Sequence, residues 1–153
     1  MSSPSRFRSS PWTDARTKPH SNHEPPRVLV AEDDVEMRRL VVEVLRKEGY
    51  SVSEATDGGR LLVEIAQQAA TNYEDVDLIV SDVRMPICSG LQIVEALRSA
   101  HCATPIVLMT AFGDDATRAR AALAGALLFD KPFDLDDLRM AIASLLGAGG
   151  ARP

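Results

Sequence analysis

Five side chains that could take part in chemistry follow short apolar segments of this sequence. The first segment is followed by two acids, Glu32 and Asp33, and the third by one acid, Asp82. The fourth segment is followed by the hydroxyl of Thr110 and the fifth by the ammonium of Lys131. Asp82 is the least expected of these, because burial at the end of an apolar strand disfavours a charged carboxylate unless a cation lies beside it. The pattern therefore indicates a site that holds a cation.

The types of these residues suit phosphoryl chemistry with a divalent metal. Three crowded carboxylates repel one another, and Mg²⁺ prefers such hard oxygen ligands while keeping waters that a phosphate can replace. Lys131 and the metal would neutralise a phosphoryl group, and Thr110 would form a hydrogen bond with one of its oxygens. Asp82, placed centrally, is then predicted to be the nucleophile that forms an aspartyl-phosphate.

Each residue also has an ordinary structural interpretation. Acidic runs are usually solvated surfaces or helix caps, and Asp34 is expected to cap a helix. Thr110 could be a strand-end hydroxyl and Lys131 a surface lysine. The common position of all five residues after apolar strands, in order along the chain, favours a shared site.

The segments that must position these residues alternate between short apolar runs and amphipathic helical patterns. The predicted strands cover residues 27–31, 50–55, 78–80, 106–109 and 127–129. Five such alternations predict an α/β fold, a doubly wound parallel sheet with helices on both faces. The carboxyl ends of parallel strands meet at one edge, where ligands bind.

The spacing of apolar residues also predicts which helix faces are buried. The predicted inward face of the first helix consists of Met37, Leu40, Val41, Val44 and Leu45. The predicted inward face of the second helix consists of Leu61, Leu62, Ile65, Ala66 and Ala69. The last helix is expected to be capped by Asp134 and to end before Gly147.

The chain has 153 residues, with 45% apolar and 25% charged residues, typical of an ordinary soluble domain. We expect a mobile Ser/Pro-rich basic tail at 1–26, one domain at 27–146 and a flexible Gly/Ala tail at 147–153. Residues 1–27 carry a net charge of +3 and the remainder −8. An acidic body argues against nucleic-acid binding by the folded domain.

The remaining signals concern location. Cys88 and Cys102 are isolated and lack metal-ligand spacing, so a reducing compartment is expected. No apolar run is long enough to cross a membrane, and the N-terminus does not resemble a secretory signal. We therefore expect a cytoplasmic protein. His20 and His23 lie three apart, but such pairs on a tail are more often solvated than metal-bound.

The motifs around the five residues resemble those of the response-regulator receiver domain of two-component signalling. The matching motifs are Val-Leu-Val-Ala-Glu-Asp-Asp at 28–34, Ser-Asp-Val-Arg-Met-Pro at 81–86 with Gly90, Thr-Ala at 110–111 and Lys-Pro-Phe at 131–133. The resemblance covers about residues 27–146. It implies a stand-alone receiver with a flavodoxin-like sheet in strand order 2-1-3-4-5.

The same resemblance implies a role for each site residue. Asp82 would be the phosphoacceptor, and Glu32 and Asp33 would bind Mg²⁺ together with Asp82. The backbone carbonyl of Arg84 would be a further metal ligand. Thr110 and Lys131 would sense the phosphoryl group.

The resemblance also implies partners. The phosphoryl group would come from a sensor histidine kinase or phosphotransfer protein, and a downstream protein would bind the helix 4–strand 5–helix 5 surface. Neither nucleic-acid nor membrane binding is expected. The protein would be a monomer or a phosphorylation-dependent dimer, and it would not be an enzyme beyond its own phosphorylation and autodephosphorylation.

Two features depart from the family pattern or bear on it. The position three before Lys131, where the family often has a switching aromatic residue, is Leu128, and the nearest aromatic residue is Phe129. Either Phe129 serves instead or the aromatic switch is missing. Arg84 and Phe112 occupy positions that influence phosphoryl lifetime in the family, and we expect them to shield the site from water.

Other functions remain as alternatives. A phosphatase of the haloacid-dehalogenase type also uses a strand-end aspartate and Mg²⁺, but its pattern has a second aspartate where this chain has Arg84. A receiver-like module that binds partners without phosphorylation is another possibility. DNA binding through the basic tail has the least support.

Overall fold

Strands and helices alternate along the whole of the part of the chain that the computed structural model describes, residues 24–71 and 76–150. The elements are β1 (Arg27–Ala31), α1 (Val35–Lys47), β2 (Ser51–Ala55), α2 (Gly58–Thr71), β3 (Leu78–Asp82), α3 (Gly90–Ser99), β4 (Ile106–Thr110), α4 (Asp115–Leu123), β5 (Leu127–Asp130) and α5 (Leu135–Gly150). This order confirms the predicted alternation.

The strands form one parallel sheet in the order β2-β1-β3-β4-β5. This is the predicted doubly wound, flavodoxin-like topology. The register pairs Val30 with Val80 and Val80 with Val107, so the three central strands lie level. All residues of β3 and β4 are buried, as expected for strands covered on both faces. The carboxyl ends of the strands therefore meet at one edge.

The core consists of two apolar layers, one on each face of the sheet. In β4, Ile106 and Leu108 point into the layer covered by α2, α3 and α4, whereas Val107 and Met109 point into the layer covered by α1 and α5. Each fully buried side chain of this kind contributes about 1.5–3 kcal/mol of hydrophobic stabilisation. Both layers pack the sheet against its helices and fix the edge on which the strands end.

The inward faces of α1 and α2 differ from those predicted. Leu40 is 46% exposed, and Val42 is buried in its place. On α2, Leu61 and Ile65 are buried while Leu62 and Ala66 are exposed. Apolar residues flank both sides of these helical stripes, so the spacing alone leaves the rotation of the helix open. Packing against the sheet and the neighbouring helix decides it.

The last helix is longer than predicted, because α5 continues through Gly147 to Gly150. Gly49 and Gly125 follow α1 and α4 with φ angles of 95° and 69°, the left-handed conformation typical of a helix end. Gly147 does not adopt it. Without that conformation, Gly147 does not end the helix and α5 continues past it.

Two predicted features lie mainly outside the described residues. The predicted tail at 1–26 is described only at 24–26, so its boundary and the pair His20 and His23 stay predictions. Residues 151–153 of the predicted second tail also lie outside the described part. Of the helices at 24–71 and 76–150, none combines the length and apolar character needed to cross a membrane.

Candidate functional site

The acidic run after β1 is divided by the start of α1. Glu32 is fully buried, and its backbone N–H donates to the carbonyl of Ala55 at 3.1 Å. Asp33 is exposed at the sheet edge. Asp34 caps α1, since its Oδ1 accepts hydrogen bonds from the N–H groups of Glu36 and Met37 at 2.9 and 3.1 Å. The cap satisfies helix-terminal donors and leaves Glu32 and Asp33 for the site.

Asp82 is the last residue of β3 and is buried. The chain after it folds back tightly, with the Gly90 N–H donating to the Val83 carbonyl at 2.9 Å. A Cβ on Gly90 would collide with the Asp82 carbonyl oxygen and lie 2.8 Å from Ser81 Oγ. Only glycine fits here, so Gly90 sets the backbone position of Asp82.

The carboxylates of Glu32, Asp33 and Asp82 come together at this edge. One oxygen from each lies within 4.8 Å of the others. Burial raises the pKa of Glu32 above its ordinary value, although hydrogen bonds from Lys131 and the Asp34 backbone oppose this. Burial likewise raises the pKa of Asp82, against the attraction of Lys131. Crowded, partly desolvated carboxylates of this kind favour a bound cation.

Lys131 reaches this cluster from the end of β5. Its Nζ donates to Glu32 Oε1 at 2.8 Å and lies 3.4 Å from Asp82 Oδ2. Burial by itself lowers the pKa of Lys131, but the hydrogen bond to Glu32 and the charges of both carboxylates outweigh it and raise the pKa. The ammonium is therefore held in its charged form beside Asp82.

Thr110 lies at the end of β4 and is buried. Its Oγ1 accepts a hydrogen bond from the Phe112 N–H at 3.1 Å, and its carbonyl accepts one from the Lys131 N–H at 2.7 Å. In the register, Asp82 pairs with Met109, one residue before Thr110. The structure thus places Thr110 on the strand next to Asp82 and ties it directly to Lys131.

Two side chains beside the acidic cluster contact each other. The guanidinium carbon of Arg84 lies 5.0 Å from the ring centroid of Phe112, within the range of a cation–π interaction. Arg84 follows β3 and Phe112 follows β4, so the pair joins the two loops that leave Asp82 and Thr110.

Arg38 is a site residue that the sequence analysis missed. Its Nη1 donates to the Glu32 carbonyl at 2.8 Å, and its Nε donates to Glu54 at 3.0 Å. Arg38 thereby ties the backbone of Glu32 to β2. Its only signal in the sequence is a basic residue on the first turns of α1, which is too common to single out.

The structure decides between the two alternatives for the aromatic residue of β5. Phe129 packs in the layer covered by α1 and α5, where its ring meets that of Phe133 edge to face at 5.6 Å. Leu128 points to the opposite layer, beside α3 and α4. Phe129 therefore does not replace an aromatic residue at position 128, because adjacent strand residues face opposite sides of the sheet.

The donor set fits Mg²⁺ better than a softer metal. All three clustered side chains offer carboxylate oxygens, and neither of the free cysteines is among them. The exposure of Asp33 leaves the cluster open on one side to solvent and ligand.

Comparison with known proteins yields a family and several related proteins. The family model described as "Response regulator receiver domain" matches residues 28–143. The Mycobacterium tuberculosis transcriptional regulatory protein PdtaR is 38% identical over 119 residues, covering 77% of this chain and 55% of PdtaR. This chain spans about half the length of two of the curated relatives that it matches, 55% of PdtaR and 52% of the Pseudomonas aeruginosa response regulator PmrA.

Many solved structures resemble this one, among them two response regulators. The Vibrio cholerae chemotaxis response regulator CheY4 is 30% identical, with a TM-score of 0.67 and coverage of 80% of this chain and 99% of CheY4. The Thermotoga maritima response regulator TrrA, in complex with Mg²⁺ and BeF, is 28% identical, with a TM-score of 0.68 and coverage of 79% of this chain and 99% of TrrA.

Proposed function

This chain belongs to the response regulator receiver domain family, and from that premise we propose that it accepts a phosphoryl group on Asp82 in a two-component phosphorelay. One observation carries the proposal. Three carboxylates lie within 4.8 Å of one another, and Lys131 contacts the two that are buried. A lysine with a purely structural role would need only one buried carboxylate as its partner. A phosphoryl-binding lysine must lie beside both the nucleophile and the metal ligands.

Four groups would hold Mg²⁺. They are the side chains of Glu32, Asp33 and Asp82 and the backbone carbonyl of Arg84. When bound, the cation supplies positive charge that stabilises the phosphoryl oxygens. The complex of TrrA with Mg²⁺ and BeF supports this assignment for a related protein.

In the transfer step, an Oδ of Asp82 attacks phosphorus. A P–O bond forms while the P–N bond to a donor histidine breaks, and the leaving imidazole takes a proton from solvent. In a separate reaction, water attacks phosphorus and the acyl phosphate is hydrolysed to the Asp82 carboxylate and inorganic phosphate. Burial of Asp82 among fixed groups positions the attacking oxygen before the donor arrives.

Lys131 and Thr110 would bind the transferred group. The Lys131 ammonium, already 3.4 Å from Asp82 Oδ2, would pair with a phosphoryl oxygen. The Thr110 hydroxyl would donate to a second oxygen. Because the Lys131 N–H donates to the Thr110 carbonyl, the two residues would respond together.

The proposed output is a protein contact through α4, β5 and α5. The phosphoryl donor would be a sensor histidine kinase or a phosphotransfer protein. The protein would be cytoplasmic, and it would be a monomer or a phosphorylation-dependent dimer. A receiver-like module that works without phosphorylation is the second candidate, because Leu128 occupies the position where the family often has a switching aromatic residue. Arg84, which faces Phe112, stands where a haloacid-dehalogenase phosphatase would carry its second aspartate.

The test is incubation with Mg²⁺ and acetyl phosphate, followed by intact-mass measurement. We expect the wild type to gain one phosphoryl group, and we expect Asp82→Asn and the chelator-treated wild type to gain none. Asp137→Asn, which removes an exposed carboxylate from α5, is the matched control and should gain the group. Equal phosphorylation of wild type and Asp82→Asn, or none in either, would contradict the proposal.

A further inference from the structure

An ion pair joins α4 to the strand that carries Lys131. Arg118 on α4 donates from Nη2 to Asp130 Oδ1 at 3.0 Å, and the same nitrogen lies 3.0 Å from Oδ2. Asp130 is the last residue of β5, directly before Lys131, and its register partner is Thr110. Asp130 is thus next to Lys131 in the chain and opposite Thr110 on the neighbouring strand, and these are the two residues proposed to bind the phosphoryl group.

The pair also packs on the loop that follows Thr110. A Cβ on Gly113 would collide with Asp130 Oδ1 and lie 2.9 Å from Arg118 Nη2. The same loop is held to Thr110 by the hydrogen bond from the Phe112 N–H to Oγ1. A shift of this loop therefore disturbs the ion pair, and loss of the pair frees the loop.

Several polar contacts hold α4 in addition to a small apolar contact. Its buried apolar residue is Ala121, and Leu123 is 88% exposed. Arg120 pairs with Glu95 of α3 at 2.6 Å, and Arg98 of α3 donates to the Ala124 carbonyl at 2.7 Å. These contacts connect α4 to α3, whereas the Arg118–Asp130 pair connects it to the phosphorylation edge.

We propose that the Arg118–Asp130 ion pair couples the occupancy of Asp82 to the position of α4, in place of an aromatic side chain on β5. The inference rests on the proposed function. Because the Thr110 hydroxyl already accepts a hydrogen bond from the Phe112 N–H, its binding to a phosphoryl oxygen would change this contact and, through the same loop, the packing of Gly113 on the pair. The pair therefore stabilises the unphosphorylated arrangement, and by linkage its removal favours the loaded one.

The experiment uses the full chain with Mg²⁺ and beryllofluoride, an analogue of the phosphoryl group. The variants are Arg118→Gln, Asp130→Asn, the double variant and Arg118→Lys. The matched control is Arg120→Gln, which removes an equally exposed arginine pair from the same helix. The readouts are the apparent beryllofluoride affinity and the hydrogen exchange of α4 amides with and without the analogue.

We expect both single variants to bind beryllofluoride about two- to fivefold more tightly, the range that an exposed ion pair can supply. Arg118→Gln removes a positive charge and Asp130→Asn a negative one. If charge alone mattered, one of the two variants would bind beryllofluoride more tightly and the other more weakly. If loss of the ion pair matters, both variants bind it more tightly. The double variant should match the single variants, because they remove the same interaction. Arg118→Lys should restore part of the wild-type behaviour.

Without beryllofluoride, the α4 amides should exchange hydrogen faster in the variants than in wild type. Adding beryllofluoride should change this exchange rate less in the variants than in wild type. Opposite affinity changes, additive effects, or a beryllofluoride affinity equal to that of Arg120→Gln would overturn the inference while leaving the proposed function intact. No binding of beryllofluoride by the wild type would overturn the proposed function and this inference with it.

Discussion

The ammonium of Lys131 lies 2.8 Å from the carboxylate of Glu32, although 99 positions separate the two residues in the chain. Glu32 is fully buried, so this contact compensates a charge that water does not reach. The same ammonium lies 3.4 Å from Asp82. Lys131 therefore stabilises the acidic cluster in the metal-free protein as well as the phosphoryl group in the proposed reaction.

Replacing Lys131 by methionine should destabilise the metal-free protein. The change leaves the buried carboxylates without their counter-charge, and we expect the free energy of unfolding in chelator to fall by about 2 kcal/mol. Added Mg²⁺ should stabilise this variant more than the wild type, because the cation takes over the lost charge. Urea unfolding with and without Mg²⁺ measures both effects. An equal response of the two proteins to Mg²⁺ would show that the ion binds elsewhere.

Removing either member of the Arg84–Phe112 contact should shorten the life of the phosphorylated form. The two side chains join the loops that leave Asp82 and Thr110, and an exposed cation–π contact of this kind supports about a two- to fivefold change. Arg84→Ala and Phe112→Ala should thus lose the group faster, as followed by intact mass after removal of the donor. Arg39→Ala on α1 is the control for lost charge. Faster loss in the wild type than in both variants would refute the shielding role.

Gly90→Ala should displace Asp82. The new methyl group collides with the Asp82 carbonyl, so we expect a loss of about 2 kcal/mol in the free energy of unfolding and weaker Mg²⁺ binding. Gly147→Ala is the matched control, because nothing lies within 4 Å of its added Cβ. That variant should change stability by less than about 1 kcal/mol. Similar losses in the two variants would mean that Gly90 is not needed for close packing.

Ile87→Gly should stabilise the protein. Ile87 has a φ angle of 77°, which is unfavourable for a β-branched residue, and its side chain is 80% exposed. Relief of this strain should raise the free energy of unfolding by about 1 kcal/mol, net of the extra entropy of glycine in the unfolded chain. Ile87→Ala keeps a Cβ and should gain less. Urea midpoints that rise equally for alanine and glycine would assign the effect to the exposed side chain.

Local sequence patterns were sufficient to predict the alternation of strands and helices and the side chains that follow each strand. Apolar runs of strand length ending in Asp82, Thr110 and Lys131 are local features, and local periodicity is enough to identify them. Helix caps such as Asp34 are local as well. The confirmed fold class rests on these signals.

Tertiary packing, in contrast, determines which distant groups meet and which helix faces are buried. Sheet order and register bring Lys131 to Glu32, place Arg118 against Asp130, and turn Phe129 toward α5. Helix rotation, which exposes Leu40, depends on the neighbours that a helix packs against. Such contacts join residues far apart in the chain, so no local pattern encodes them.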